Sequence, residues 1–129
     1  MTSNKGVLGS IVQHAVDRLD IVPFATHSLQ EVEFVTNELM SICPVTSQPD
    51  ISTVTIRYQP NGSIIESKSL KLFLWKFRDE GIFCEALATT IATRVFIDAQ
   101  PFEVIVIVKQ QARGGIVTTA TAQYKKEAL

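Results

Sequence analysis

Residues 101–109, Pro-Phe-Glu-Val-Ile-Val-Ile-Val-Lys, are the stretch that decides the fold class. Its run of β-branched residues favours an extended strand, which we predict from Phe102 to Lys109. Side chains alternate along a strand, so its valines and isoleucines lie on opposite faces, Val104, Val106 and Val108 on one and Ile105 and Ile107 on the other. A strand that is apolar on both faces is covered on both sides.

The segments on either side predict an α+β domain with the order β-β-α-α-β-β. Strand patterns occupy Gln30–Thr36, Thr53–Tyr58 and Ile116–Tyr124, and residues 64–65 form a short extended piece. Residues 37–51 are predicted as an irregular loop. A helical stripe consists of Leu70, Phe73, Leu74 and Phe77, with Ser69 as its cap, and a second helix covers Phe83–Ile97. We expect an antiparallel sheet with both helices on one face, so the other face contacts a partner subunit.

Composition indicates one globular domain over residues 1–129, with residues 1–28 as an N-terminal arm. Leu8, Ile11, Val12, Ala15 and Leu19 recur at helical spacing within this arm. The spacing predicts a short amphipathic helix that ends before Pro23, and an arm that orders only against a neighbouring subunit is the equal alternative. The chain is 46% hydrophobic and 19% charged, too apolar for a disordered protein. Its net charge of −1 gives no electrostatic case for nucleic-acid binding. No apolar run has the length of a membrane span and the start lacks a secretion signal, so we expect a cytoplasmic protein.

Cys43 and Asp50 lie seven residues apart in a segment that contains two prolines, Pro44 and Pro49. A thiolate is a strong nucleophile, and loops on rigid scaffolds commonly carry catalytic groups. Asp50 could orient the thiol or supply a proton. On spacing alone, a buried cysteine and an aspartate that caps a turn are the commoner situation. The two cysteines, Cys43 and Cys84, make neither a disulfide framework nor a metal site.

A second group lies where a strand enters a helix, at Glu66–Phe73. Lys68 and Lys71 share one helical face near the positive helix N-terminus, an arrangement that suits phosphate groups. Glu85 lies in the first turn of the second helix, where its carboxylate could accept two N–H groups of a guanine-like ring. For each, an ordinary surface side chain at a helix start is the simpler interpretation.

Together, the pattern Cys43-Pro44-x-Thr46-x-Gln48-Pro49-Asp50 and the run Glu66-Ser67-Lys68-Ser69-Leu70-Lys71-Leu72 resemble the QueF family. These are NADPH-dependent nitrile reductases of queuosine biosynthesis, which convert 7-cyano-7-deazaguanine to its aminomethyl form with two NADPH. The similarity runs from about Val32 to Gly115. It implies the tunnelling fold, in which sheets of several subunits join into a barrel with active sites at the subunit interfaces.

The resemblance also implies roles for individual residues. Cys43 matches the nucleophile that forms a covalent thioimide, and Asp50 matches the proton donor. The base-binding positions correspond to Glu66, Ser67 and Glu85, and the NADPH-binding positions correspond to Lys68, Ser69, Lys71, Arg113 and Gly114, with Gly115 in the same glycine turn. No metal is implied.

Two positions depart from the family pattern. Cys84 stands where the family usually has histidine, which we place among the catalytic residues although a thiol is a poorer proton donor. Ser47 stands where the family usually has glycine. The first departure keeps an alternative open: a related branch adds ammonia to the same nitrile and makes the formamidine of archaeosine in tRNA. That branch typically lacks the NADPH run, which is intact here.

Overall fold

Four long strands form one antiparallel sheet in the computed structural model, which describes residues 11–127. In chain order the elements are β1 (Ile21–Pro23), β2 (Val32–Ile42), β3 (Pro49–Gln59), β4 (Ser63–Ile65), α1 (Ser67–Trp75), a 3₁₀ helix (Lys76–Asp79), α2 (Cys84–Ala99), β5 (Glu103–Arg113) and β6 (Ile116–Lys125). The sheet order is β2-β3-β5-β6, and β1 pairs with β4 separately. The predicted order of long strands and helices is confirmed, with two short strands added.

The core lies between one face of the sheet and the helices. Along β3 every second side chain is buried, including Val54, Ile56 and Tyr58 as predicted. The predicted stripe of α1 and the 3₁₀ helix is buried against them, as are the three valines of β5. The largest fully buried members are Tyr58, Phe73, Phe77, Leu39, Ile56, Leu87, Ile91, Val54, Val95, Val104, Val106 and Val108.

The opposite face of the sheet differs from this core face. Ile105 and Ile107 lie there and remain partly exposed. Val35 is 59% exposed and Val117 is 50% exposed on the same sheet. Strand β5 therefore has apolar side chains on both faces, as predicted. Among the described residues only its valine face is fully covered.

The predicted helix in the N-terminal arm is wrong for the described residues, while Leu8 lies outside them. Residues 11–20 form no helix. Their backbone N–H groups donate to other elements instead: that of Leu19 to the carboxylate of Asp98 at 2.9 Å and that of Asp20 to the hydroxyl of Ser69 at 2.9 Å. These tertiary hydrogen bonds replace the i to i−4 bonds of a helix, and they hold the end of the arm against α1 and α2.

The predicted irregular loop over residues 37–51 is also wrong, except at residues 43–48. Strand β2 continues to Ile42 and β3 begins at Pro49. The register shifts between Thr36 and Leu39, which is a β-bulge. A bulge adds a residue to one strand, so the core-facing side chains fall at even-numbered positions before it and at odd-numbered positions after it. Phe34 before the bulge and Leu39 after it both face the core, a change that simple alternation does not predict.

Candidate active site

The hairpin between β2 and β3 presents the thiol of Cys43. Cys43 donates its backbone N–H to the carbonyl of Gln48 at 2.9 Å, and its carbonyl accepts from Ser47 at 2.9 Å. Ser47 has φ +60°, a left-handed conformation that favours glycine. This explains why glycine suits the position that Ser47 occupies. The tight turn leaves the Cys43 side chain partly exposed at the end of the sheet.

The Cys43 thiol is activated by its own loop. Its pKa falls from the ordinary value of 9.0 to about 7, chiefly because the Thr46 hydroxyl hydrogen-bonds to the sulfur. The backbone N–H groups of Thr46 and Val45 and the guanidinium of Arg113 act in the same direction. The sequence motif contained Thr46, but its effect on the thiol was not predicted. A thiol with this pKa is substantially ionised at neutral pH, as a nucleophile requires.

Asp50 lies beside this loop and is paired with Arg113. Asp50 is 4% exposed. Its carboxyl accepts a hydrogen bond from the Arg113 guanidinium, and the two groups form an ion pair. Strand β5 shifts register between Gln110 and Arg113, and this bulge directs the arginine toward Asp50. We expected Arg113 among the cofactor-binding residues with the lysines of α1. The structure places it, across 63 residues of sequence, against Asp50 beside the Cys43 loop, and its role in cofactor binding remains a prediction.

Cys84 and Glu85 begin helix α2 near the same hairpin. Ile82 donates its N–H to the carbonyl of Ile42 at 3.1 Å, which ties the start of α2 to the Cys43 loop. Cys84 is 3% exposed and its thiol lies 3.4 Å from the carbonyl oxygen of Val108. Burial and the neighbouring Glu85 carboxylate raise the pKa of Cys84, so this thiol stays neutral. Its catalytic role remains a prediction. The Glu85 residue is exposed.

Glu66 is the N-cap of α1, and this role was missed. Its carboxylate accepts the N–H of Ser69 at 2.8 Å and that of Lys68 at 2.9 Å. Ser69 is fully buried and its hydroxyl donates to the Glu66 carbonyl at 2.7 Å. The prediction that Ser69 caps the helix is therefore wrong, and its hydroxyl has no exposed surface to offer a cofactor. A carboxylate has about four lone-pair sites, so Glu66 keeps acceptor capacity for a ligand.

A cavity of about 560 Å³ opens between α1 and β2. Its rim carries Ser67 and Lys71, both exposed residues of α1, and its wall includes Trp75. The other lining residues are Phe34, Val35, Thr36, Glu38, Val54, Ile56, Leu70, Leu72 and Leu74. Lys68 is exposed one turn from Lys71. This donor set of two ammonium groups beside a helix N-terminus fits the phosphates of a dinucleotide, so NADPH would be held here by Lys68 and Lys71.

The predicted site residues form two separate groups within one chain. Tyr58, whose hydroxyl accepts the Ile65 N–H at 3.0 Å, marks the end of β3 next to Glu66. Asp50 marks the other end of β3, eight residues away, which is about 26 Å of strand. One group therefore contains Cys43, Asp50, Cys84, Glu85, Arg113 and Gly114, and the other contains Glu66, Ser67, Lys68, Ser69 and Lys71. The first is called the thiol group and the second the helix group.

Two further properties concern the described residues 11–127. No group of three or more His, Cys, Asp or Glu side chains there is arranged to hold a metal ion. No helix there has the length and apolar character needed to cross a membrane.

The fold and the site define an α+β domain that offers an activated thiol beside a buried carboxyl at a sheet end. The solved structure of the archaeosine synthase QueF-Like in the apo form shares this fold, with a TM-score of 0.69 and 24% identity over 77% of this chain and 97% of that one. This likeness confirms the predicted tunnelling fold.

The chain belongs to the QueF family. The family model for QueF-like protein matches residues 49–129. A relative from Thermomicrobium roseum, NADPH-dependent 7-cyano-7-deazaguanine reductase, is 44% identical over 98 residues, which are 76% of this chain and 77% of the relative. A protein of the same name from Frankia casuarinae is 44% identical over 99 residues, covering 77% of this chain and 79% of that protein. The resemblance drawn from the sequence motifs is confirmed.

Proposed function

We propose that this protein is an NADPH-dependent 7-cyano-7-deazaguanine reductase, an oxidoreductase that captures its nitrile substrate on Cys43. The observation that carries the proposal is the Cys43 thiol with a pKa of about 7 beside the buried Asp50 carboxyl. Relatives that are 44% identical over most of the chain bear this name. A thiolate adds readily to the electrophilic carbon of a nitrile.

The residues of the thiol group divide the first chemical step between them. The Asp50 carboxylate takes the proton of the Cys43 thiol and passes it to the nitrile nitrogen while the sulfur bonds to the nitrile carbon, which gives a thioimide. Arg113 holds the Asp50 carboxyl in place. The base would be bound by the exposed Glu85 through two N–H groups. NADPH, when bound, supplies hydride, and Lys68 and Lys71 are the residues that would hold its phosphates.

The substrate site is proposed to form between two subunits. Glu66, next to the Tyr58 end of β3, and Asp50, at the other end, are separated by about 26 Å of strand within one chain, far more than a bicyclic base spans. Strands β2 and β6 are the edges of the sheet, and long edge strands readily pair with another copy. A neighbouring copy that pairs in this way would bring its helix group to the thiol group. The partly exposed isoleucine face of β5 would then face the interior of the assembly.

Two measurements test the proposed function. The protein is incubated with the nitrile and NADPH, and the absorbance of the reduced cofactor is followed. We expect oxidation of two NADPH for each nitrile, and none with Cys43→Ala. Without cofactor, intact mass should show one adduct on the wild-type chain and none on that variant. Wild-type protein that oxidises no NADPH above the Cys43→Ala background would contradict the proposal.

We further propose a cytoplasmic location, which suits two cysteines that are both free.

A second candidate is the addition of ammonia to the same nitrile, which would give a formamidine. Cys84 favours it, because a buried neutral thiol stands where the reductases usually have a histidine. The structural neighbour is an archaeosine synthase. Mass spectrometry of the nitrile base, free or in nucleic acid, incubated with ammonium decides: a formamidine product supports this candidate, and an aminomethyl product with NADPH excludes it. The net charge of −1 argues against a nucleic-acid substrate.

A further inference from the structure

Two buried serines flank Asp50 and have no protein partner. Ser41 is 1% exposed and Ser52 is 2% exposed. Within residues 11–127, neither hydroxyl oxygen makes a hydrogen bond to another protein group. Buried hydroxyls are nearly always hydrogen-bonded, because an unpaired one costs stability. Two such groups on one face of the sheet are therefore expected to bond to buried water.

The sheet places the side chains of Ser41 and Ser52 on the same face as Asp50 and next to it. Ser41 on β2 is the direct cross-strand partner of Asp50 on β3, and directly opposed side chains are close neighbours. Ser52 follows Asp50 by two residues, so it lies on the same face. Arg113 takes the Oδ1 atom of that carboxyl. A buried water needs two to four polar partners, and the two hydroxyls with the carboxylate supply three.

Reduction of a nitrile to an amine consumes two hydrides and two protons. The nitrogen takes the first proton when the Cys43 sulfur bonds to carbon. The carbon of the thioimide then accepts the first hydride and becomes tetrahedral. Its C–S bond breaks, the Cys43 thiolate leaves, and an imine remains. The second hydride reaches the imine carbon and the nitrogen takes the second proton. Asp50 has by then lost its proton, and the Cys84 thiol is a poor donor because burial raises its pKa.

We propose that Ser41 and Ser52 are positioning residues that hold a water against Asp50, and that this water returns a solvent proton to the carboxylate between the two reduction steps. A hydroxyl both donates and accepts hydrogen bonds, so each serine can orient the water and pass its proton on. The same carboxyl then supplies both protons of one turnover. This inference rests on the proposed reductase function and assigns its proton source.

The variants Ser41→Ala, Ser52→Ala and their combination test the relay in the full-length protein. Formation of the Cys43 adduct without cofactor needs only the first proton, so its rate should stay within about twofold of wild type. The kcat of NADPH oxidation should fall by roughly 10-fold to 100-fold with KM for the nitrile nearly unchanged. The solvent deuterium isotope effect on kcat should rise. Ser52→Thr, which keeps a hydroxyl, should recover most of the kcat.

Folding and the control separate a relay from a structural role. Among the described residues neither serine hydroxyl bonds to another protein group, so alanine should change the melting temperature little. Thr93→Val is the control, because the Thr93 hydroxyl is paired with the Tyr124 hydroxyl at 2.9 Å on strand β6, at the other end of the sheet. It should lower the melting temperature and leave kcat and the isotope effect unchanged.

Two results would overturn the relay alone: a double serine variant with wild-type kcat and isotope effect, or one whose adduct formation slows as much as its turnover. Wild-type protein that oxidises no NADPH would instead overturn the proposed function and the relay with it.

Discussion

The Thr46 hydroxyl is the main cause of the lowered Cys43 pKa, and replacing it with valine gives a quantitative test. Thr46→Val should move the pKa from about 7 back toward 9.0. At pH 7 a pKa of about 7 leaves about half of the thiol ionised, and a pKa of 9.0 leaves about 1%, a roughly 50-fold difference at the limit. A more basic thiolate is also a better nucleophile, by roughly eightfold for two pKa units. The net loss of reactivity at pH 7 is therefore at most about sixfold.

The assay is the rate of reaction with a small dipyridyl disulfide between pH 5 and 10. The wild-type rate should rise with pH through a midpoint near 7, because only the thiolate attacks. The Thr46→Val curve should have a higher midpoint, and it should cross above the wild-type curve at high pH. Thr46→Ser keeps the hydroxyl and is the matched control. Cys43→Ala reports any contribution of Cys84.

Equal midpoints for wild type and Thr46→Val would refute this account of the thiol. So would an equal shift in Thr46→Ser, since the cause would then be the shape of the loop, where Thr46 also accepts the Gln48 N–H at 3.3 Å.

Three further changes test the loop, the ion pair and the shared site. Ser47→Gly should raise the free energy of unfolding in urea by about 0.5 kcal/mol, because relief of a left-handed φ exceeds the entropy cost of glycine; a loss of stability would contradict this. Arg113→Ala should lower the free energy of unfolding by about 2–3 kcal/mol, because it leaves the Asp50 carboxyl buried and unpaired. Adding Asp50→Asn should restore most of this stability, and additive losses in the double variant would refute the pairing. Co-expressed Cys43→Ala and Glu66→Gln chains, each inactive alone, should recover up to about a quarter of wild-type activity if two subunits share each site, and no recovery would place the whole site in one chain.

Local sequence patterns predicted much of the fold. The alternation in β3 and the valines of β5 identified strands and their buried faces, because side-chain direction in a strand depends only on neighbours two residues apart. The stripe from Leu70 to Phe77 identified a helix for the corresponding reason. The same logic failed in the arm, where the Leu19 and Asp20 N–H groups bond to distant side chains.

The candidate site was predicted in composition and only partly in arrangement. The motifs identified Cys43 and Asp50, which the hairpin does bring close together. They did not indicate that Glu66 caps a helix. They also did not indicate that Arg113 pairs with Asp50, away from Lys68 and Lys71. The buried Ser52 follows the alternation that contains Asp50 and Val54, which is the one signal that could have identified it.

The sequence by itself therefore determined the elements, their buried faces and the identity of the reactive groups, because each follows from residues a few positions apart. The tertiary structure decided which groups meet. The two bulges, in β2 and β5, set the register that carries Ser41 and Arg113 to Asp50. The length of β3 separates Glu66 from Asp50. Register and bulges arise from the packing of the whole domain, and no local pattern specifies them.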